Sequence, residues 1–253
     1  MNNALMIQQA EGGEFRKFHS YYWPYLADYL YRWKIDYILQ GAVPYMGMTD
    51  ETLAWNRLRL ALQHMTQKYQ YIFLLDADVW VADQNVDLRA ACEKPLMGVR
   101  WWPDMNTVSH IQAGVLLLNN GRCLDPDHPE PLDHKAENML HFMVEESKYW
   151  MQIYPGLRGW HEQGQLDWMI KGTGFKTYVG ELPIEYNWGR LCNKPCEHPY
   201  LVGYHGERPL MDVALPRLLE DIEKWKPKQN VNIASTISPS LEDSSLGTEQ
   251  TQP

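Results

Sequence analysis

Cysteine is scarce in this chain, four in 253 residues, as expected of a protein kept in a reducing compartment. Cys92 and Cys123 stand alone, and Cys192 and Cys196 sit in LCNKPCEH close to His198 and His205. That spacing is not the paired pattern of a zinc site, so no cysteine-ligated metal is expected. Long apolar runs are missing too: nothing approaches the roughly 18 residues of a membrane span. Met1 to Ala4 lead straight into ALMIQQ without the order of a secretory signal. The reading is of a soluble, cytoplasmic protein. Excess positive charge is also absent, with 23 Lys and Arg against 32 Asp and Glu. A generic nucleic-acid coat binder is therefore not expected, because counterion release needs clustered cations, although a local basic patch stays open. No internal repeat is visible.

What is present is an ordinary acidic globular composition, 45% apolar with net charge −9, long enough for one sizeable core or a core with a small annex. Strand-like stretches alternate with helical patterns. Ala4 to Gln9 reads as a first strand, Phe15 to Arg32 as an aromatic helix with Pro24 as kink or boundary, and Ile35 to Leu39 as a second strand. Thr49 or Asp50 can cap a helix carrying Leu58, Ala61, Leu62 and Met65. On it, Arg57 and Arg59 read as a solvated face. YIFLL follows as a strand, then PLMGVRWW and IQAGVLLLNN as two more. His134 to Tyr149 and Glu162 to Lys171 read as helices. FKTYV (Phe175 to Val179) and YLVGYH (Tyr200 to His205) are expected to close the sheet. The alternation predicts an α/β fold with helices on both faces. From about residue 230 the chain turns polar (VNIASTISPSLEDSSLGTEQTQP), so the expected organisation is one domain over 1–229 and a flexible, disordered tail over 230–253.

The strand QYIFLLDADVWV raises the functional question. Asp76 and Asp78 project the same way from a strand, with Ala77 into the fold. Two carboxylates this close repel and stay ionised only if something cationic faces them. In an open α/β sheet ligands bind at the carboxyl ends of strands, and hard oxygen ligands suit Mg²⁺ or Mn²⁺ with positions left for phosphate oxygens. The local chemistry points to a metal that carries a diphosphate.

These residues resemble a family. Strand plus Asp-Ala-Asp is similar to the DxD motif of GT-A fold glycosyltransferases, single Rossmann-like domains with a mixed central sheet flanked by helices. HIQAGVLLLN (His110 to Asn119) resembles their N-[AS]-G-hhhhN strand, with Gln112 where Asn or Asp is usual. WHEQGQLDWMI (Trp160 to Ile170) resembles a DQDxLN helix start, with Glu162, Gln163 and Gly164 over the DQD. YHGERP (Tyr204 to Pro209) is similar to the late HxGxxKP element of the retaining family 8, one residue shorter and with Arg208 for the lysine. The features run in family order from Ala4 to about Leu210.

The resemblance implies roles. Asp76, Asp78 and His205 would hold Mn²⁺ or Mg²⁺, Asp76 alternatively reaching the ribose. Arg208, beside Gly206, would offset charge on the departing diphosphate. Gln8, Gln9 and Ala10 would frame base and ribose, and Ala77 would complete the DxD triplet against the donor. Gln112, Ala113 and Gly114 would lie against the donor sugar, where a small residue admits close approach. Gly164 in place of an acid moves the sugar-hydroxyl contact to Asp167, with Glu162 and Gln163 nearer the anomeric carbon. The donor implied is a UDP-sugar and the outcome retention. The acceptor is open: glycan, glycolipid, protein side chain or modified nucleobase.

Bland readings compete residue by residue. His205 also suits a surface loop, and Glu162 a helix start stabilised through the macrodipole. Trp101, Trp102, Trp160, Trp168 and Trp188 read first as packing, although Trp188, with Asn187 in PIEYNW, equally suits an acceptor or donor contact. Two other functions stay in view. A haloacid dehalogenase-like phosphatase would use Asp76 as nucleophile, but its motif opens the domain. A non-catalytic carbohydrate-binding protein would explain the tryptophans but not the paired aspartates.

Overall fold

The structure is a computed structural model and describes residues 2–10, 12–41, 55–101, 110–121, 135–153, 161–172, 174–189, 196–205 and 207–225. It begins with β1 (Ala4–Ala10), followed by α1 (Gly12–Trp33). Gly12 supplies the positive φ of 82° at the turn into the helix. Phe18, Tyr22, Leu26 and Tyr29 recur at helical spacing on the buried face. The helix runs through Pro24 rather than ending there, at the cost of one intrahelical hydrogen bond. It stops at Lys34, which turns left-handed at φ 53° and directs the chain into β2 (Ile35–Gly41).

The helix with the 58/61/62/65 pattern is α2 (Asn56–Gln67), with Trp55 at its N-cap. The alternative caps Thr49 and Asp50 lie outside the described residues. β3 (Tyr71–Asp76) and the short β4 (Val79–Val81) follow, then β5 (Leu96–Trp101), β6 (His110–Asn119), α3 (Lys135–Ile153) and α4 (His161–Gly172). β7 (Val179–Leu182), β8 (Trp188–Gly189), β9 (Leu201–Gly203) and α5 (Leu215–Trp225) complete the chain as described.

The fold is α/β, with a mixed six-stranded sheet in the order β2-β1-β3-β6-β5-β7. β1 lies parallel to β2 and β3, β6 runs antiparallel to both β3 and β5, and β7 is parallel to β5. Strand alternation explains why helices cover both faces. Met6, Phe73, Leu75, Val115 and Leu117 point into a core shared with α1 and α5. Leu5, Ile7, Ile72, Leu74, Leu116 and Leu118 point into a second core with α2, α3 and α4.

Two strand expectations are corrected. Phe175 to Tyr178 is a 3₁₀ turn, fixed locally by Thr177 Oγ1 donating to Gly174 O at 3.2 Å. Only from Val179 does the chain pair with β5. YLVGYH does not close the main sheet: β9 is the middle strand of a separate sheet, β4-β9-β8. That small sheet pairs Val79 with Gly203, so the residues flanking the pair, Asp78 and Tyr204–His205, meet although they are far apart in sequence. The proposed tail over 230–253 lies outside the described residues. Among those residues, no helix is long and apolar enough to cross a membrane.

Candidate active site

The site forms where the sheet changes direction, at the carboxyl ends of β1 and β3 and the opposing amino half of β6. Asp76 ends β3. The chain then turns through Ala77 and Asp78 before β4, so the two aspartates are set by a turn between two sheets rather than by one continuous strand. Asp76 is half-exposed, Asp78 and Ala77 are buried. His205 comes in beside them from the end of β9. Its Nδ1 stands 3.3 Å from Asp78 Oδ1 and 3.5 Å from Asp76 Oδ2.

Two glycines make room for that imidazole. A Cβ at Gly114 would lie 2.5 Å from His205 Cε1 and 3.0 Å from Asp76 Oδ2, and one at Gly203 would lie 2.5 Å from His205 Nε2. Asn187, fully buried, places Oδ1 3.2 Å from the same Nε2 and donates through Nδ2 to Gln112 Oε1. Gln112 is thus turned inward to orient the histidine through Asn187.

Cations do face the aspartates, and one was misread from sequence. Arg57, expected on a solvated face, is 3% exposed and pairs with Asp76 Oδ1. Its Nη2 donates to Ala113 O at 2.7 Å. The helical pattern located α2, but not that this arginine points inward across the sheet end. Arg208 stands on the opposite rim, 45% exposed, with Nη2 3.6 Å from Asp78 Oδ2 and its guanidinium 4.5 Å over the Phe15 ring. Burial pushes the Asp78 carboxyl up, but His205 and Arg208 outweigh it and hold its pKa below the ordinary value. Burial likewise disfavours His205 protonation, while Asp78 and Asp76 more than compensate, so its pKa lies above the usual imidazole range.

The other expected site residues are placed as follows. Gln8 is fully buried and its amide is engaged inside the protein, whereas Gln9, its neighbour at the end of β1, is partly exposed and pairs in register with Asp76. Ala10 is buried. Asp167 is buried on α4, which is tied to the start of α2 by Trp55 Nε1 donating to Gln165 Oε1. Glu162 and Gln163 lie in the first turn of α4, their side chains outside the described residues, as is Gly206. Trp168 stacks on Phe142 and Trp188 meets Trp225 edge-on, so both pack. Trp102 and Trp160 lie outside the described residues, as do the side chain of Trp101, Cys123 and Cys192.

One ligand atom from each of Asp76, Asp78 and His205 falls within 4.8 Å of the others. Two carboxylates and an imidazole fit Mn²⁺ or Mg²⁺ chemistry. Asp78 Oδ1 is buried without a hydrogen bond of good geometry. The residues present therefore fit a divalent ion.

A crystal structure of a glycosyltransferase involved in the glycosylation of the major capsid of PBCV-1 superposes with a TM-score of 0.56 at 11% identity, covering 80% of this chain and 93% of that one. The chain shares its fold with that glycosyltransferase. GlyE of Streptococcus pneumoniae gives a TM-score of 0.47 at 15% identity over 79% of this chain and 55% of its own. Mouse xyloside xylosyltransferase 1 gives 0.47 at 11% identity over 81% of this chain and 99% of its own. No protein-family model and no curated protein sequence matches the chain.

Proposed function

We propose that the chain is a metal-dependent glycosyltransferase that moves a sugar from a nucleotide-sugar, with UDP as the carrier and retention of configuration, to an acceptor of the glycan, glycolipid, protein or nucleobase class. The supporting observation is the meeting of Asp76, Asp78 and His205 between Arg57 and Arg208 at the sheet end where α/β proteins bind ligands. A divalent ion held there would supply positive charge to a departing diphosphate. Arg208, exposed on the rim, adds a guanidinium fork that suits phosphate oxygens. Arg57 pairs with one oxygen of Asp76 and so leaves the other toward His205. Gln9 at the end of β1, rather than the inward Gln8, is the residue offered to base and ribose. Asp167 is retained for sugar-hydroxyl contacts, with Glu162 and Gln163 nearer the anomeric carbon. For retention, the acceptor approaches on the leaving-group side, where the diphosphate can take its proton.

The phosphatase alternative is disfavoured because Asp76 has one oxygen committed to buried Arg57 and stands on the third strand in sequence. The test is a donor-hydrolysis screen: Mn²⁺ and a panel of nucleotide-sugars, with nucleotide release measured. Release that EDTA abolishes and that Asp78→Ala lacks is expected. Phosphate release from simple esters in its place would favour the phosphatase. The product anomer by NMR decides retention.

A further inference from the structure

The turn that carries the two aspartates is gripped by its carbonyl groups. Between β3 and β4 four consecutive carbonyls each face a donor from elsewhere in the chain. Gln8 Nε2 lies 3.1 Å from Asp76 O and 3.1 Å from Val79 O. Tyr22 OH donates to Ala77 O at 2.8 Å, and Tyr204 N to Asp78 O at 3.0 Å. A turn of this kind is usually satisfied by its own residues or by water.

The directions of these bonds are fixed by counting hydrogens. The Gln8 amide must aim its NH₂ at the two carbonyls, because the flipped amide would set oxygen against oxygen. Its Oε1 therefore accepts, and Tyr37 OH donates to it at 3.0 Å. Tyr37 has then used its one hydrogen, so the His19 Nε2 at 2.7 Å donates to the Tyr37 oxygen. Tyr22 has spent its hydrogen on Ala77 O, so its oxygen, 3.2 Å from Gln8 Nε2, can only accept, and the two hydrogens of that amide are shared among three acceptors. The result is a one-way chain from His19 through Tyr37 and Gln8 to the aspartate turn, with Tyr22 as a second arm. Gln8, Tyr22 and His19 are buried, where polar groups cost stability unless paired. A buried polar network whose members are paired rigidifies the backbone it holds.

Resting on the metal reading of the site, we infer that Gln8 and Tyr22, backed by Tyr37 and His19, are positioning residues: they fix the turn so that Asp76 and Asp78 present their carboxylates in metal-binding geometry, without themselves touching metal or donor. Ligation tolerates errors of only about 0.5 Å, and a turn released from two of its four anchors has that much freedom.

The test compares Mn²⁺ affinity, by counting free ion with electron paramagnetic resonance, and melting temperature in the full chain. Tyr22→Phe keeps the ring and removes one anchor. Gln8→Met keeps the volume and removes two. Tyr29→Phe is the matched control, since Tyr29 on the same helix makes a like bond, 3.0 Å to Val86 O, away from the turn. One lost hydrogen bond is worth about a fivefold change in an equilibrium constant. Tyr22→Phe should therefore weaken Mn²⁺ binding about fivefold, Gln8→Met about tenfold or more, and Tyr29→Phe not at all, although all three lower the melting temperature. Unchanged affinity in Tyr22→Phe and Gln8→Met with wild-type binding intact would overturn the positioning role alone. A wild-type chain that binds no Mn²⁺ would overturn the metal reading with it. Equal loss of affinity in all three variants would reduce the effect to general destabilisation and also overturn the inference.

Discussion

His205 works within a slot, and the slot is made of glycine. Gly114 and Gly203 close on the imidazole from two sides, so Gly114→Ala must displace His205 or Asp76. Because the displaced atoms belong to two of the proposed metal ligands, Mn²⁺ affinity and donor hydrolysis should each fall at least about tenfold while the chain stays folded; calorimetric titration beside a thermal melt checks this. Arg57 differs in kind, being 3% exposed and paired to Asp76. Arg57→Met leaves that carboxylate and the Ala113 carbonyl without it, an expected loss of about 2 kcal/mol in urea unfolding, tempered by the partial exposure of Asp76. Arg57→Lys keeps the charge but not the fork, and should recover only part of the loss.

At the scale of elements, α1 serves the site along its length: Phe15 under Arg208, Tyr22 on the Ala77 carbonyl, His19 behind Tyr37. His19 is ringed by Tyr22, Trp23 and Tyr37, and burial pushes its pKa from 6.5 to about 4. The unfolded chain takes up this proton near pH 6.5 and the folded chain only near 4. Stability from the neutral imidazole is therefore full above the first value and is lost as pH falls through the window, at most about 3 kcal/mol. Urea unfolding at pH 7 and pH 4.5 should show a larger drop for wild type than for His19→Gln; equal drops would assign the dependence to other groups. The small sheet is the second element that decides function, because the β4–β9 pairing delivers His205 to Asp78.

At the scale of the whole fold, two cores sandwich one sheet and the candidate site sits at the sheet's end. The polar segment from residue 230 onward has no apolar periodicity to add to either core. Truncation after residue 229 is therefore expected to leave the melting temperature and donor hydrolysis unchanged; a fall of several degrees would mean that it docks.

Local pattern was enough to place β1, α1, β2, α2, β3, β5, β6, α3 and α4, because periods of two and 3.6 are written in consecutive residues. It was also enough to single out Asp76 and Asp78, since carboxylates interrupting an apolar strand need a cation. What only the tertiary structure decided depends on contacts between distant segments. Arg57 belonged to the same amphipathic pattern as Arg59 and revealed its inward direction only once α2 was docked. Gln8 sat beside Gln9, and only the pleat of β1 within its sheet turned the one to the turn carbonyls and the other to the opposite face, where it stays partly exposed. FKTYV had the composition of a strand, but a strand needs a partner, and β5 offers one only from Val179. YLVGYH had a partner in β4 rather than in the main sheet. Sequence pattern reports which face a residue prefers; hydrogen bonding across the fold decides what that face meets.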